Sequence, residues 1–306
     1  MRDITDRDQW QQERAEAVPA PAIQWFPGHM TKTRRMMESN LKLVDIVVEL
    51  TDARIPASSR NPEIDRLVGK KPRIILLNKC DSADEQVTRA WLEYYKNKGI
   101  PALAADCRSG KGLKSFLPLV KSTLSGLLEK RAAKGMAGLP IRMMVVGVPN
   151  VGKSSLINRL AGAKRAKVED RPGVTRGKQW VSLAGGIELL DTPGVLWPKF
   201  DDPLVGERLA FTGAVKDDVV DIELLAMRLL WLLYQEYPQL VCERFKVKEG
   251  EAADLDAYDL LELVGRRRGM LLPGGQVNTE RAAIMILDEF RSGKLGKVSL
   301  ETPPEG

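Results

Sequence analysis

Between residues 45 and 190, short aliphatic runs alternate with longer polar stretches. Asp45–Leu50, Arg73–Leu77, Pro101–Ala105 and Ile141–Val146 are compact and apolar, the pattern of strands buried on both faces of a parallel sheet. Thr31–Leu43, a short segment ending at Val68, Ser82–Lys98, Leu113–Lys134 and Ser155–Leu160 read as helices around them. Gln179–Leu183 and Ile187–Leu190 flank Ala184-Gly-Gly186 and read as a hairpin. Strand–helix alternation predicts an α/β fold. From about residue 203 the pattern is helical throughout. Asp221–Gln235 is ended by Pro238, Leu255–Val264 is stopped at Gly265, and a last helix runs from the N-cap Asn278 to Gly293. In that helix Ala283, Leu287 and Phe290 mark one buried stripe. The expected division is a flexible tail over 1–22, an α/β domain over 23–202 and a small all-α domain over 203–306.

The 306 residues, 43% of them hydrophobic, suffice for a packed core. The net charge of +6 is compatible with a nucleic-acid partner without requiring one. Cys80, Cys107 and Cys242 lack metal-ligand spacing and suit a reducing compartment. The charged first residues form no signal peptide, and Ile222–Tyr234 is too short for a membrane span and carries Glu223 and Arg228. A soluble, cytoplasmic protein is expected.

The candidate chemistry begins at Gly147-Val-Pro-Asn-Val-Gly-Lys-Ser154, which matches GxxxxGK[ST] between a strand and a helix. Gly147 and Gly152 permit the turn. Backbone N–H groups of Asn150, Val151, Gly152, Lys153, Ser154 and Ser155 then face polyphosphate at a helix N-terminus. Lys153 reaches the β- and γ-phosphates and the Ser154 hydroxyl ligates Mg2+. Asn78-Lys79-Cys80-Asp81 is an NKxD motif at a strand's carboxyl end. Asp81 can accept guanine N1–H and N2–H2, which adenine cannot offer, while Asn78 and Lys79 hold neighbouring loops and cover the base. Asp106-Cys107-Arg108 stands where GTPases carry their second guanine loop, and the Cys107 N–H is the expected donor to guanine O6. Thr175 is the candidate second Mg2+ ligand in a switch loop. Asp191-Thr-Pro-Gly194 offers Asp191 to Mg2+ and the Gly194 N–H to the γ-phosphate.

These motifs stand in rotated order. The guanine loops at 78–81 and 107 precede the phosphate loop, and Thr175 and Asp191 follow it. The expectation is a circularly permuted P-loop GTPase domain binding GTP and GDP, with a small C-terminal all-α domain.

The chain resembles the ribosome biogenesis GTPase A family of bacterial circularly permuted GTPases. The resemblance rests on Trp25-Phe-Pro-Gly-His-Met30, Asp52-Ala-Arg54, the nucleotide motifs, Pro273-Gly-Gly275 and Glu289-Phe-Arg-Ser-Gly-Lys-Leu-Gly296. It implies late maturation of the large (50S) ribosomal subunit, with hydrolysis stimulated by that subunit. It also implies a catalytic role for His29, the sole histidine. Val195, where common GTPases place a water-orienting glutamine, cannot hydrogen-bond water, which adds weight to His29. The candidate catalytic set is His29, Lys153 and Thr175, with a structural or binding role as the other reading of His29. Asn150 resembles the asparagine of potassium-activated GTPases, so K+ joins Mg2+ as a candidate ion. Arg266, Arg267, Arg268, Arg291, Lys294 and Lys297 are candidate rRNA contacts in a helical domain similar to the family's RNA-binding one. A solvated basic face remains the other reading of those six. A monomer is expected. A guanine-nucleotide-gated RNA-binding module with negligible turnover stands as the alternative function.

Overall fold

The computed structural model describes residues 30–162, 168–169, 180–183, 185–190, 202–248 and 250–304. These residues fall into two compact units. One holds the described residues up to 190 together with 301–304, and the other spans 202–300.

The first unit is built on β1 Ile46–Asp52, β2 Arg73–Asn78, β3 Ala102–Ala105, β4 Ile141–Val146, β5 Val168–Glu169, β6 Trp180–Leu183 and β7 Ile187–Leu190. They form one sheet in the order β3-β2-β1-β4-β7-β6-β5. Pairing is parallel from β3 through β7 and antiparallel at β7–β6 and β6–β5. The carboxyl ends of β1, β2, β3, β4 and β7 therefore share one edge. The chain turns back on itself in the sheet between β1 and β4, the place where open α/β sheets bind ligands.

Helices α1 Met30–Leu41, α2 Pro62–Val68 and α3 Glu85–Asn97 bury their apolar sides against the sheet. Met37, Leu41, Ile64 and Val68 join Val47, Met144, Val146, Trp180 and Leu190 in one cluster. Val87, Trp91 and Tyr95 of α3 join Ile75 and Leu77 in another. Sequence chemistry sets where these helices begin. Asn61 caps α2 through the Glu63 N–H, and Asp84 caps α3 through the N–H groups of Gln86 and Val87.

The helix expected over Leu113–Lys134 is interrupted. After one 3₁₀ turn come α4 Phe116–Thr123 and α5 Ser125–Ala133. The Ser122 and Thr123 hydroxyls both donate back to the Leu119 carbonyl, and Ser125-Gly126 follows, so local polar competition and weak propensity coincide at Leu124. Beyond the phosphate loop lies α6 Lys153–Ala161.

The second unit holds α7 Pro203–Phe211, α8 Ile222–Glu236, α9 Pro238–Phe245, α10 Ala257–Arg267 and α11 Thr279–Arg291. Asp202, Asp221, Asp256 and Asn278 cap α7, α8, α10 and α11. The stripe of Ala283, Leu287 and Phe290 is buried as expected. Gly265, expected to stop α10, lies inside it. A Cβ there would stand 2.5 Å from Val277 Cγ1, so the glycine serves close packing. Buried Glu207 meets Arg228, and buried Glu289 lies between Arg244 and Arg268. No described helix is long and apolar enough to cross a membrane.

The boundary at 306 also changes. Residues 301–304 leave the helical unit and return to the sheet unit. Glu301 is only 4% exposed. Its carboxylate accepts the Ala57 N–H at 2.7 Å, the Ser58 N–H at 3.1 Å and the Ser58 hydroxyl, and its carbonyl accepts Trp91 Nε1–H at 3.1 Å. Glu301→Ala keeps the carbonyl that Trp91 uses but removes the carboxylate, leaving the buried Ser58 N–H and hydroxyl and the part-buried Ala57 N–H without that acceptor. It is expected to lower the sheet unit's stability by about 2 kcal/mol in urea denaturation.

Candidate nucleotide site

The phosphate loop leaves β4 at Val146 and enters α6 at Lys153. Gly152 has φ +105°, and a Cβ there would stand 2.2 Å from Asn78 Nδ2, so both conformation and space demand glycine. Asn150 holds φ +58° and Lys79 φ +61°. Such backbone for a side-chain-bearing residue is uncommon and concentrates at ligand sites. Lys153 Nζ donates to the carbonyls of Gly147 at 3.0 Å and Val148 at 2.8 Å, which folds its ammonium over the loop. Ser154 and Ser155 are exposed in the first turn of α6, where helix N-terminal N–H groups and the helix dipole favour anions.

Asn78 ties three loops together. Its Nδ2 donates to the Val151 carbonyl at 2.7 Å, and its Oδ1 accepts the Cys107 N–H at 2.9 Å. Buried Asn78 thereby fixes NKxD to the phosphate loop and to the loop after β3. This corrects the expectation for Cys107, whose N–H is committed to Asn78 rather than turned toward a base oxygen. The Cys107 side chain is buried, and burial pushes its thiol up to about 12. Asp81 is exposed just past β2, with one oxygen accepting the Ser82 hydroxyl at 3.1 Å. That leaves acceptor capacity for a base edge.

Two residues matter here that carried no assigned role in the sequence. Asp52, at the end of β1, is buried. Its carboxylate lies 2.8 Å from Arg54 and 3.0 Å from Lys79 Nζ, and it also takes the Arg54 Nε–H and backbone N–H. Burial works against its charge, but Arg54 and Lys79 win and hold the carboxyl well below the usual range. The lysine that should cover the base is thus anchored from below. Asp106 accepts the N–H groups of Arg108 at 2.8 Å and Ser109 at 3.1 Å, which shapes the loop after β3. Burial would raise its pKa, but the hydrogen bonds from Ser109 and Arg108 lower it overall. An acid at the carboxyl end of a strand, on the edge that carries NKxD, is the signal that marks both.

A cleft of about 330 Å³ opens beside these loops, lined by Cys107, Arg108, Ser155, Asn158, Arg159 and Gly162. His29, Thr175, Asp191, Gly194 and Val195 lie outside the described residues. Ser154 is accordingly the described member of the Mg2+ set. Its exposed hydroxyl at the helix N-terminus fits a hard cation shared with polyphosphate. Among the described residues, no group of three His, Cys, Asp or Glu gathers to hold a metal without such a ligand.

On the helical unit the basic candidates divide. Arg291 pairs with Asp217 at 2.7 Å and donates to the carbonyls of Phe211 at 3.1 Å and Ala210 at 2.9 Å. Its guanidinium closes the end of α7, which corrects its reading as a surface contact. Arg267 pairs with Glu251, and Arg268 with Glu289 at 2.7 Å. Arg266, Lys294 and Lys297 are exposed.

A family model described as 50S ribosome-binding GTPase matches residues 142–238, beginning at the strand before the phosphate loop. Ribosome biogenesis GTPase A of Priestia megaterium is 49% identical over 284 residues, covering 92% of this chain and 98% of the relative. Its Thermotoga maritima counterpart is 32% identical over 92% of this chain and 95% of the relative. Mitochondrial ribosome-associated GTPase 1 of Xenopus tropicalis is 35% identical over 90% and 94%. Among solved structures, GDP-bound YlqF has a TM-score of 0.62 at 31% identity, covering 88% of this chain and 99% of that one. GNP-bound YlqF from Thermotoga maritima has 0.60 at 30% identity, covering 89% and 98%.

Proposed function

Because this chain belongs to the ribosome biogenesis GTPase A family and is a circularly permuted GTPase, we propose that it serves late maturation of the large (50S) ribosomal subunit and that the particle switches its hydrolysis on. The observation that carries this reading is the gathering of loops at one sheet edge. Asn78 joins the phosphate loop, NKxD and the loop after β3, while the chain on either side matches ribosome-linked GTPases over nearly its whole length.

In this reading Asp81 selects guanine, with Lys79 held beneath the base by Asp52. Lys153 and the N–H groups from Asn150 to Ser155 hold the phosphates. Ser154, Thr175 and Asp191 would hold Mg2+, which when bound would supply positive charge to the polyphosphate. His29 positions the attacking water in place of the missing glutamine. Asn150, exposed at the crest of the phosphate loop, provides for K+. Arg266, Lys294 and Lys297 supply rRNA phosphate contacts from the helical unit, joined by exposed Arg267 and Arg268, which follow Arg266 in the chain. The protein works in the cytoplasm as a monomer.

Single-turnover GTP hydrolysis, with and without purified large subunits, tests the reading. Stimulation of roughly 100-fold or more is expected, and its loss in His29→Ala with GTP affinity unchanged. GTP-dependent binding to the subunit without stimulation would instead favour a nucleotide-gated binding module. Replacing K+ by Na+ is expected to slow the stimulated rate by about tenfold, and equal rates would remove Asn150 from an ion-binding role.

A further inference from the structure

The base and the phosphates of a nucleotide are gripped by separate loops, so something must set the distance between the two grips. The loop after β3 is closed on itself. Asp106 N–H donates to the Lys111 carbonyl at 2.9 Å, the Gly110 N–H to the Asp106 carbonyl at 2.7 Å, and the Asp106 carboxylate takes two further N–H groups. A unit this tightly tied moves as one piece, so its external anchors decide where it stands. One anchor is Asn78, from NKxD. The other comes from the phosphate side. Arg159, in the last turns of α6, donates from its guanidinium to the Arg108 carbonyl.

The same side chain lies along the bare backbone of Gly110. A Cβ on Gly110 would stand 3.2 Å from Arg159 Nε and 3.3 Å from Cδ. Gly110 itself has φ +90°, a conformation that already favours glycine. Arg159, Arg108 and Cys107 wall the cleft together with Ser155 of the phosphate helix. Arg159 therefore spans from the phosphate-loop helix to the loop that Asn78 ties to NKxD. Its own side chain is exposed, so it contributes little to the core.

We propose that Arg159 is a positioning residue for guanine nucleotide: it locks the loop over 106–111 to α6, presets the spacing between base grip and phosphate grip, and so sets how long GDP stays bound. Spacing held before the ligand arrives need not be ordered on binding, which lowers the cost of association and slows release. A hydrogen bond to a charged donor corresponds to roughly a tenfold change in an equilibrium or a rate.

The test is dissociation of a fluorescent N-methylanthraniloyl GDP from the full chain, chased with excess GDP, for wild type, Arg159→Ala and Arg159→Lys. Release about tenfold faster in Arg159→Ala is expected. Arg159→Lys should fall between, because a lysine donates from a point rather than a planar fork. Single-turnover hydrolysis at saturating GTP should stay within about twofold, since the reacting phosphates are held elsewhere. The melting temperature without nucleotide should not move. Unchanged GDP release in Arg159→Ala overturns the proposal. So does faster release accompanied by equal losses in hydrolysis and in melting temperature, which would make Arg159 a general structural support. The wild-type measurement separately checks guanine nucleotide binding, so a failure there is distinguishable from a failure of the clamp.

Discussion

Asp81→Ala is expected to weaken GDP and GTP binding by about four orders of magnitude while leaving the fold intact. The carboxylate is exposed past the end of β2, and a neighbouring hydroxyl is its hydrogen-bond partner there, so its loss disturbs little packing. The bound base suffers far more. Guanine would leave two donors without acceptors inside a closed site, and desolvated, unpaired polar groups are what make such discrimination steep. Fluorescence titration with the labelled GDP measures the loss, and a thermal melt of the empty protein checks the fold. Asp81→Asn supplies a sharper control. Xanthine carries an oxygen where guanine carries its 2-amino group, and an asparagine amide can donate to it. Xanthosine diphosphate should therefore bind this variant more tightly than GDP does. If GDP affinity survives Asp81→Ala within a few fold, the base does not sit on NKxD.

The second large effect concerns stability. Asp52→Ala should cost about 3–5 kcal/mol in urea denaturation, because it removes one member of a buried ion pair and strands the other. Arg54 is fully buried and takes both oxygens of Asp52. Asp52→Asn, which keeps an acceptor, should cost less. The pH dependence has a definite sign. Burial opposes ionisation of Asp52, but Arg54 and Lys79 depress its pKa below the unfolded value. Its contribution is thus fully present above that unfolded value, about 3.9, and is lost only as pH falls below it through the folded pKa. Between pH 5 and 8 this group should add no slope to stability, and the difference between wild type and Asp52→Asn should shrink only below about pH 4. A steep slope near neutrality common to wild type but absent from the variant would contradict the assignment.

The architecture was largely legible because its signals are local. Each central strand is a short aliphatic run, and each nucleotide motif sits where such a run stops. Rotated order needs no structure to be seen, since it is an order of motifs along the chain. The sequence misleads where a side chain's fate is decided by partners distant along the chain. The sequence points the Cys107 N–H at a base, but Asn78, 29 residues earlier, takes it. Arg291 reads as surface charge in the sequence, but Asp217 and two carbonyls at the end of α7, more than 70 residues away, use its guanidinium. Gly265 looked like a stop signal, yet its missing side chain makes room for Val277. The break at Leu124 was local and could have been read from Ser122, Thr123, Ser125 and Gly126, whose preferences oppose a continuous helix.

The return of Glu301 to the loop at Ala57 and Ser58 ties the sheet unit to the order of synthesis. A chain is made from its amino end, and units made early usually begin folding first. Here the described β-strands are complete by residue 190, but the buried Ser58 N–H and the part-buried Ala57 N–H in the loop after β1 must wait for a carboxylate translated more than 100 residues later. The nucleotide-binding unit therefore reaches its fully bonded form only after the whole helical unit has been made. A nascent chain halted anywhere before Glu301 would display the guanine and phosphate motifs on a scaffold still missing its last stitch.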